Sequence, residues 1–397
     1  MQLRHAAVPW RALSWTVVET VEEILASWQA LAARAPDQPF QHPAWIAAWL
    51  ETRGRVLAVR PRIVVGHHRD SCEIVVPLGI TGRGPGRVLR WLAGDSSDYN
   101  APLASPELRA SFAPDDAAAF WHCIADLAGP AAVLDLGNQP ERIAGAANRF
   151  IAKPIGAEAC RAHSLRLPTA AGAGSLSKRH RKRLRALERS HGKAAFVVLY
   201  AGQDCELAVR RIIDWKRGQL MRSGGFSPFE ADGVRECLSL AASDPAMPIR
   251  VALLRTASAT LAGFILIDGG EAELIYQCSY DPAFALSSPG TILRELVERD
   301  CIGRGKTLLD FGPGDEAYKG EVCDTSMRLL RTIRPLQPSG VALAMMLRTG
   351  LQVKRWIKAT STLYAAICRA HRLAMVVRGR LRSRSAFRRN PETLETA

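Results

Sequence analysis

The chain has 397 residues, 48% hydrophobic and 23% charged, a balance that excludes a wholly disordered, collagen-like or disulfide-scaffold protein. Lys and Arg total 53 against 38 Asp and Glu, for a formal net charge of +15. The excess is uneven. Residues 335–397 hold 12 basic and 2 acidic residues, so the end of the chain is a basic tail suited to an anionic surface or partner. None of the nine cysteines sits in a CxxC pair or tight cluster, which points to reduced thiols in a reducing compartment. The nine histidines show no HExxH or HxxxH spacing, so no metal site is expected. The N-terminus lacks a sustained apolar core, and no run of about 18 uncharged apolar residues occurs. A cytoplasmic protein is expected, or one resting peripherally on the inner face of a membrane.

Taken in chain order, WTVVET (15–20) alternates as a strand, and 21–34 has helical spacing that Pro36 ends. PFQHPAWIAAWLET starts a second helix near Pro43, because proline is tolerated in a first turn. Three β-rich runs follow, VLAVRP, RIVVGHH and EIVVPLGI, with a hairpin-like break at RDSC. Then come a GRGPGR loop, a helix at about 114–127, a buried strand at 131–136, a helix near 141–151 and a strand at 163–167. AAGAGS (170–175) is a flexible break. SKRHRKRLRALERSHGK (177–193) carries eight Lys/Arg and one Glu, and reads as a basic helix capped by Ser177 with Leu184 and Leu187 as a thin apolar stripe.

The second half runs as a strand at 194–200, helices at 206–221 and 231–242, and strands at 250–255, 259–268 and 272–279. In the first of these helices Leu207, Ile212, Ile213 and Trp215 are expected to face inward. A loop, a helix at 291–303 and a strand at 307–311 close it. The order repeats that of the first half, in pattern rather than in identity, which argues for two copies of one fold. The expected division is a first domain at 1–170, a basic connecting helix at 171–193, a second domain at 194–335 and a basic amphipathic tail at 336–397. The tail is expected to be helical from Val341, with Leu343, Met346, Leu347, Val353, Ile357, Tyr364 and Ile367 at helical period. That is a pattern for lying on anionic lipid through residues 341–389.

The stretch 274–319 carries the candidate chemistry. A strand ends at Tyr280-Asp281, and ALSSPGT then feeds directly into a helix. Ser288 or Thr291 is placed to cap that helix, and the free amides with the helix dipole form an anion site fit for a cofactor phosphate. LLDFG then ends in a loop holding Asp310, Asp315, Glu316, Tyr318 and Lys319. Acids, a phenol and an amine at a strand's C-terminal end are the groups proton transfer uses. A solvated turn with a paired Glu316–Lys319 is the plainer alternative. GxSxG and GxxxxGK[ST] are absent, which removes a hydrolase elbow and a P-loop.

The strand–ALSSPGT–helix–LLDFGPGDEAYK segment, with the FQHPAWIAAWL and SKRHRKRLRALERSHG helices and Asp214-Trp215-Lys216, resembles the BioF2-like acetyltransferase domain of the GNAT superfamily (CelD-like or FemAB-like proteins). The resemblance extends over most of 15–335. It implies a mixed α/β (α+β) chain with two tandem GNAT-like domains, the second catalytic. It also implies N-acyl transfer, acetyl first, from acyl-CoA as cosubstrate to an amine on a sugar, lipid or envelope/polysaccharide precursor. The coenzyme A pyrophosphate would lie on amides at Ser287, Ser288, Gly290 and Thr291. Asp310 or Glu316 would serve as base and Tyr318 as acid toward the leaving thiolate. Lys319, Tyr276, Asp281 and Lys216 would meet the acceptor. The ALSSPGT loop departs from the usual Q/R-x-x-G-x-G/A pattern, with one glycine. That departure suits the FemAB-like branch, where some relatives use aminoacyl-tRNA. Such a transferase, or a non-catalytic scaffold of a polysaccharide-synthesis assembly, is the alternative, and no nucleic acid apart from tRNA is expected.

Overall fold

The computed structural model describes residues 8–152, 157–169, 176–223, 227–314 and 316–360, with 363, 366, 367 and 369. The first half runs β1 (Ser14–Val18), α1 (Leu25–Arg34), α2 (Pro43–Trp49), β2 (Arg60–His68), β3 (Ser71–Thr81), β4 (Val88–Trp91), β5 (Leu103–Ala104), α3 (Pro106–Ser111), α4 (Ala117–Ala128), β6 (Val133–Pro140), β7 (Arg142–Ile143), β8 (Ala146–Ala147) and β9 (Ala157–Arg166). After α5 (Lys178–His191) the series repeats as β10 (Ala195–Tyr200), α6 (Gln203–Ser223), α7 (Val234–Ser243), β11 (Ile249–Arg255), β12 (Thr260–Gly269), β13 (Ala272–Tyr280), α8 (Pro289–Gly303), β14 (Leu308–Pro313), α9 (Ala317–Val322) and β15 (Thr325–Pro335). The helix α10 (Val341–Ala359) follows. The chain is thus a mixed α/β protein of two halves that repeat one order of elements, with a basic helical C-terminal segment.

The two halves share one 13-stranded sheet, ordered β1-β2-β3-β4-β6-β15-β9-β14-β13-β12-β11-β10, with β5 beside β3. In each half the first four strands are antiparallel and the fifth joins in parallel: β6 beside β4, β14 beside β13. The last strands are exchanged. β15, from the second half, pairs with β6 of the first, and β9, from the first, pairs with β14 of the second. β15 and β9 pair with each other in the middle. One face of this sheet is covered jointly: Trp28, Phe40, Trp45 and Trp49 from α1–α2 pack in one core with Val209, Ile212, Cys237 and Leu238 from α6–α7. Full burial of each such side chain contributes roughly 1.5–3 kcal/mol, so the halves are held as one body. On the other face α4 covers the first half through Phe120 and Trp121, and α8 with α5 covers the second.

Local chemistry explains most boundaries. Pro43 opens α2, where its missing N–H costs nothing, and the His42 imidazole accepts from the Ala44 amide. Ser177 caps α5 through the His180 amide, as its sequence predicts. Other expectations are corrected. VLAV (56–59) ends a helix and turns at Ala58, whose φ is +49°, and the third strand is instead β4, after GRGPGR. Residues 141–151 form the β7–β8 hairpin around Ala144-Gly145 (both at positive φ), not a helix. Leu207 is exposed, and Val209 takes the inward place on α6. β15 and α9 are additional elements. AAGAGS, Tyr364 and the arginine-rich end at 378–389 lie outside the described residues. The eight described cysteines are unbridged. Among the described residues no helix is long and apolar enough to cross a membrane.

Candidate active site

A parallel pair joined over only three residues must part where the register stops. β13 and β14 pair at Ala272↔Leu308, Glu273↔Leu309 and Leu274↔Asp310, and then diverge. On its other edge β13 slips against β12 between Ile275 and Gln277, leaving Tyr276 as an extra, bulged residue. β14 slips against β9 just past Asp310. A wedge therefore opens at Asp310, bordered by the end of β13 and leading toward the turn before α8.

The first half carries the same wedge. β4 and β6 pair at Val88↔Val133, Leu89↔Leu134 and Arg90↔Asp135, so Asp135 is the counterpart of Asp310. The sequences are alike, VLDLG (133–137) against LLDFG (308–312), sharing the Leu at the second position, the Asp and the Gly, a likeness that a reading of pattern alone passes over. The electrostatics differ. Asp135, 1% exposed, is held by Arg331 of the exchanged strand β15 through two 2.7 Å bonds, with Arg90 at 3.2 Å. Asp310 has no guanidinium. Its Oδ2 accepts from the Tyr99 hydroxyl (2.7 Å) and its Oδ1 from the Gly312 amide (2.7 Å). Burial pushes its carboxyl up, against the Tyr99 and Gly312 bonds and Lys319.

Tyr99 belongs to DSSDYN (95–100), a loop that follows β4 of the first half and reaches the second half's wedge. Its neighbours are pinned. The Trp49 and Arg53 side chains donate to Asp95, Trp45 to Ser97 Oγ, Tyr276 to the Ser96 carbonyl (2.9 Å), and Asn138 to the Ser97 carbonyl. Within the loop only Asp98 makes no hydrogen bond through its side chain. That carboxylate lies against Gly312, where an added Cβ would come within 3.2 Å of Asp98 Oδ2, and the +70° φ at Gly312 also favours glycine. Burial first, then the charge of Asp310, push Asp98 up to about 7, with Lys319 opposing. Asp98 and Tyr99 keep some solvent contact. Nothing in the sequence reading singled out this pair. The signal was an acid–phenol pair in the loop after β4, which only the exchange of contacts between halves brings to the wedge.

The residues predicted from sequence fall into three groups. Asp310, Glu316, Tyr318, Lys319, Tyr276 and Lys216 converge on the wedge. Lys216, Lys319 and Glu316 all act electrostatically on Cys278, whose thiol burial pushes up. Lys319 is buried and committed, donating to the Gly312 and Pro313 carbonyls and pairing with Glu316 at 2.8 Å, so it braces the β14 end. Tyr276 is likewise an anchor, its ring against Phe40 and Trp45. Tyr318 is partly exposed, and its phenol is pushed up by burial and then by Cys278 and Glu316.

The second group lies at the mouth of the wedge. Ser288, at φ +50°, occupies the N-cap of α8 but makes no side-chain capping bond, and Thr291 lies within the first helical turn. The Ser288 and Thr291 amides already donate to the Ala285 and Ser288 carbonyls. Of the four amides assigned to a pyrophosphate, these two are therefore engaged locally, and that of Ser287 lies within the 3-10 turn Pro282–Ser287. Gly290 sits against Tyr280, where an added Cβ would make ordinary contact at 3.5 Å. Asp281 stands apart, capping the short 3-10 turn Pro282–Ser287 through the Ala283 amide.

α5 packs beside this turn, His191 against Phe284 and His180 against Glu295. Its Lys178, Arg179, Arg181, Lys182, Arg185 and Arg189 are exposed and make no ion pair. Glu273, the other carboxyl pushed to about 7, is fully enclosed between Arg250 (2.9 Å) and Arg304 (2.7 Å), out of reach of a substrate. Two surface cavities of about 330 and 700 Å³ lie on the first half, at Glu19–Leu50–Pro61 and at Leu31–Arg34–Glu73. Neither is lined by a wedge residue, so the wedge stands out by its chemistry and not by its volume.

Residues 174–320 match the family described as acetyltransferase (GNAT) domain. A search of curated proteins finds no match. Among solved structures, FemX superposes with a TM-score of 0.52 at 9% identity, over 79% of this chain and 96% of its own. L-PGS from Bacillus licheniformis gives 0.44 at 10%, over 82% and 96%. A tandem GNAT protein from the clavulanic acid biosynthesis pathway gives 0.43 at 12%, over 82% and 99%. Residues 174–320 thus match the GNAT acetyltransferase domain family, and the chain as a whole shares the fold of FemX.

Proposed function

We propose that the chain is an N-acyltransferase acting at the β13–β14 wedge, moving an acyl group from acyl-CoA to an amine on a sugar, lipid or envelope precursor. The observation that carries the reading is the contrast between twin aspartates. Asp135 is neutralised by arginines, whereas Asp310 is left without one and is joined by the unbonded carboxylate of Asp98. Evolution of a purely structural sheet has no need for an unmatched acid pair, which costs stability.

In this reading Asp98 takes a proton from the acceptor ammonium, and its pKa of about 7 suits a base at neutral pH. Asp310 and Tyr99 hold the wall beside it. The freed nitrogen lone pair adds to the thioester carbonyl, polarised by β13 amides released from β14. The C–S bond breaks and its electron pair leaves on sulfur, which takes the Tyr318 proton. The surplus proton on nitrogen returns to the phenolate, and the proton on Asp98 goes to water. Holding donor and acceptor in one crevice supplies much of the acceleration. The donor's pyrophosphate would sit at Ser287–Thr291, with Gly290 offering the closest approach.

A second reading, an aminoacyl-tRNA donor, is favoured by the unpaired basic face of α5 beside the same turn. Purified protein incubated with acetyl-CoA, longer acyl-CoAs or aminoacyl-tRNA and an amine panel, read by mass spectrometry, decides between them. Product from an acyl-CoA supports the first reading. Product from aminoacyl-tRNA alone replaces it with the second, and no product with any donor leaves a scaffold role.

A further inference from the structure

The sequence suggests a single apolar stripe along the tail, but the structure divides it. Leu343, Ala344, Leu347 and Leu351 pack inward on Val88, Val133 and Ile333, and Arg348 donates to the Ile333 carbonyl. Outward lie Val341, Met345, Met346, Val353 and Trp356, each between 47% and 64% exposed. These are five of the fourteen large hydrophobic side chains exposed among the described residues, so bare apolar surface is concentrated on this one helix. At 3.6 residues per turn they share, with Ala342, Thr349 and Gln352, an arc of about 140° that contains no charge. Arg355 lies about 40° beyond one edge of that arc and Lys354 further round, and both are exposed and make no ion pair. α10 is therefore apolar on two sides, and the fold uses only one.

We propose that the outward face of α10 docks on an anionic lipid bilayer. Charge selects this occupant. From Val341 onward the sequence holds 12 basic and 2 acidic residues, so a second copy of the chain would bring like charges together. The remaining C-terminal segment, itself arginine-rich, would meet the same repulsion if it folded back. Anionic headgroups instead neutralise the exposed Arg355 and Lys354 while the methionines, Val353 and Trp356 enter the acyl boundary, with the tryptophan ring at headgroup level. With no helix among the described residues able to span a bilayer, α10 lies in the plane of the surface.

The test is flotation of the full chain with phosphatidylcholine vesicles, with and without phosphatidylglycerol. Flotation is expected only with the anionic lipid and should weaken with salt. Val353→Glu/Trp356→Glu and, separately, Met345→Glu/Met346→Glu should each lower vesicle affinity at least about tenfold, with an unchanged circular dichroism spectrum because these side chains touch no core. Lys354→Gln/Arg355→Gln should lower it less. Absence of flotation with anionic vesicles overturns the proposal. So does wild-type flotation of both glutamate pairs. Self-association of the wild type that the glutamate pairs abolish, without vesicle binding, also overturns it and assigns the face to a second copy.

Discussion

Asp98→Asn separates a working acid from a structural one, because the two roles move stability in opposite directions. Asparagine has the shape of the protonated acid and never ionises. In the folded chain Asp98 is raised from 3.8 to about 7, so the folded state holds a proton that the unfolded state has released between those values. Stability from this group is complete below about pH 4 and is lost as pH rises through about 7. Each unit is worth 1.36 kcal/mol, so the ceiling is about 4 kcal/mol at pH 8. Partial solvent contact and coupling to Asp310 reduce that to about 2 kcal/mol. Urea unfolding should therefore find the asparagine variant more stable by about 2 kcal/mol at pH 8 and level with wild type near pH 4. The rate should behave oppositely: kcat/KM falls by about 10²–10⁴, and the rising limb near pH 7 disappears. A variant that is destabilised at pH 8, or that differs equally at both pH values, would show Asp98 to be a structural ligand. Unchanged turnover would remove it from the chemistry.

Four further changes probe the surroundings. Arg331→Met leaves the buried Asp135 with Arg90 alone and should cost about 3 kcal/mol in urea unfolding, most of it recovered by adding Asp135→Asn. Gly312→Ala meets both a +70° φ and the Asp98 carboxylate; it should destabilise by about 1–2 kcal/mol and lower kcat while leaving the KM for acyl-CoA unchanged. At the donor turn, Ser288→Gly relieves a left-handed serine and should stabilise by about 0.5 kcal/mol, whereas Gly290→Glu sets a negative charge at the donor phosphates and should raise the KM for acyl-CoA at least about tenfold.

What was legible in the sequence followed the range of the interaction. Local signals placed α2 at Pro43, α5 at Ser177 and the strands β11–β13, because proline geometry, caps and alternation act within a few residues. Residues 141–151 read as helix because alanines hide a turn set by Ala144-Gly145. β15 was overlooked because its arginines interrupt the apolar pattern: Arg331 is polar for Asp135, a partner 196 residues away. The site shows the same limit. Asp310 and Glu316 stand out within one loop, but Tyr99 reaches Asp310 across 211 residues, and no spacing rule spans that distance.

The exchange of last strands explains why one wedge remains chemically open. A repeat of this fold places an aspartate where the fourth and fifth strands part, and a buried carboxylate there must be matched or left raised. In the first half, β15 supplies Arg331, and Asp135 becomes a bidentate rivet between halves. In the second half, the counterpart strand β9 presents Ser164 opposite Asp310 and no guanidinium bonded to it. The compensation comes instead from the neighbouring half, as a phenol that holds Asp310 and a second acid that faces it. Removing the first half would therefore expose the joint core of α1, α2, α6 and α7, and it would also take Asp98 and Tyr99 from the wedge. The two copies are bound together by their chemistry as much as by their packing.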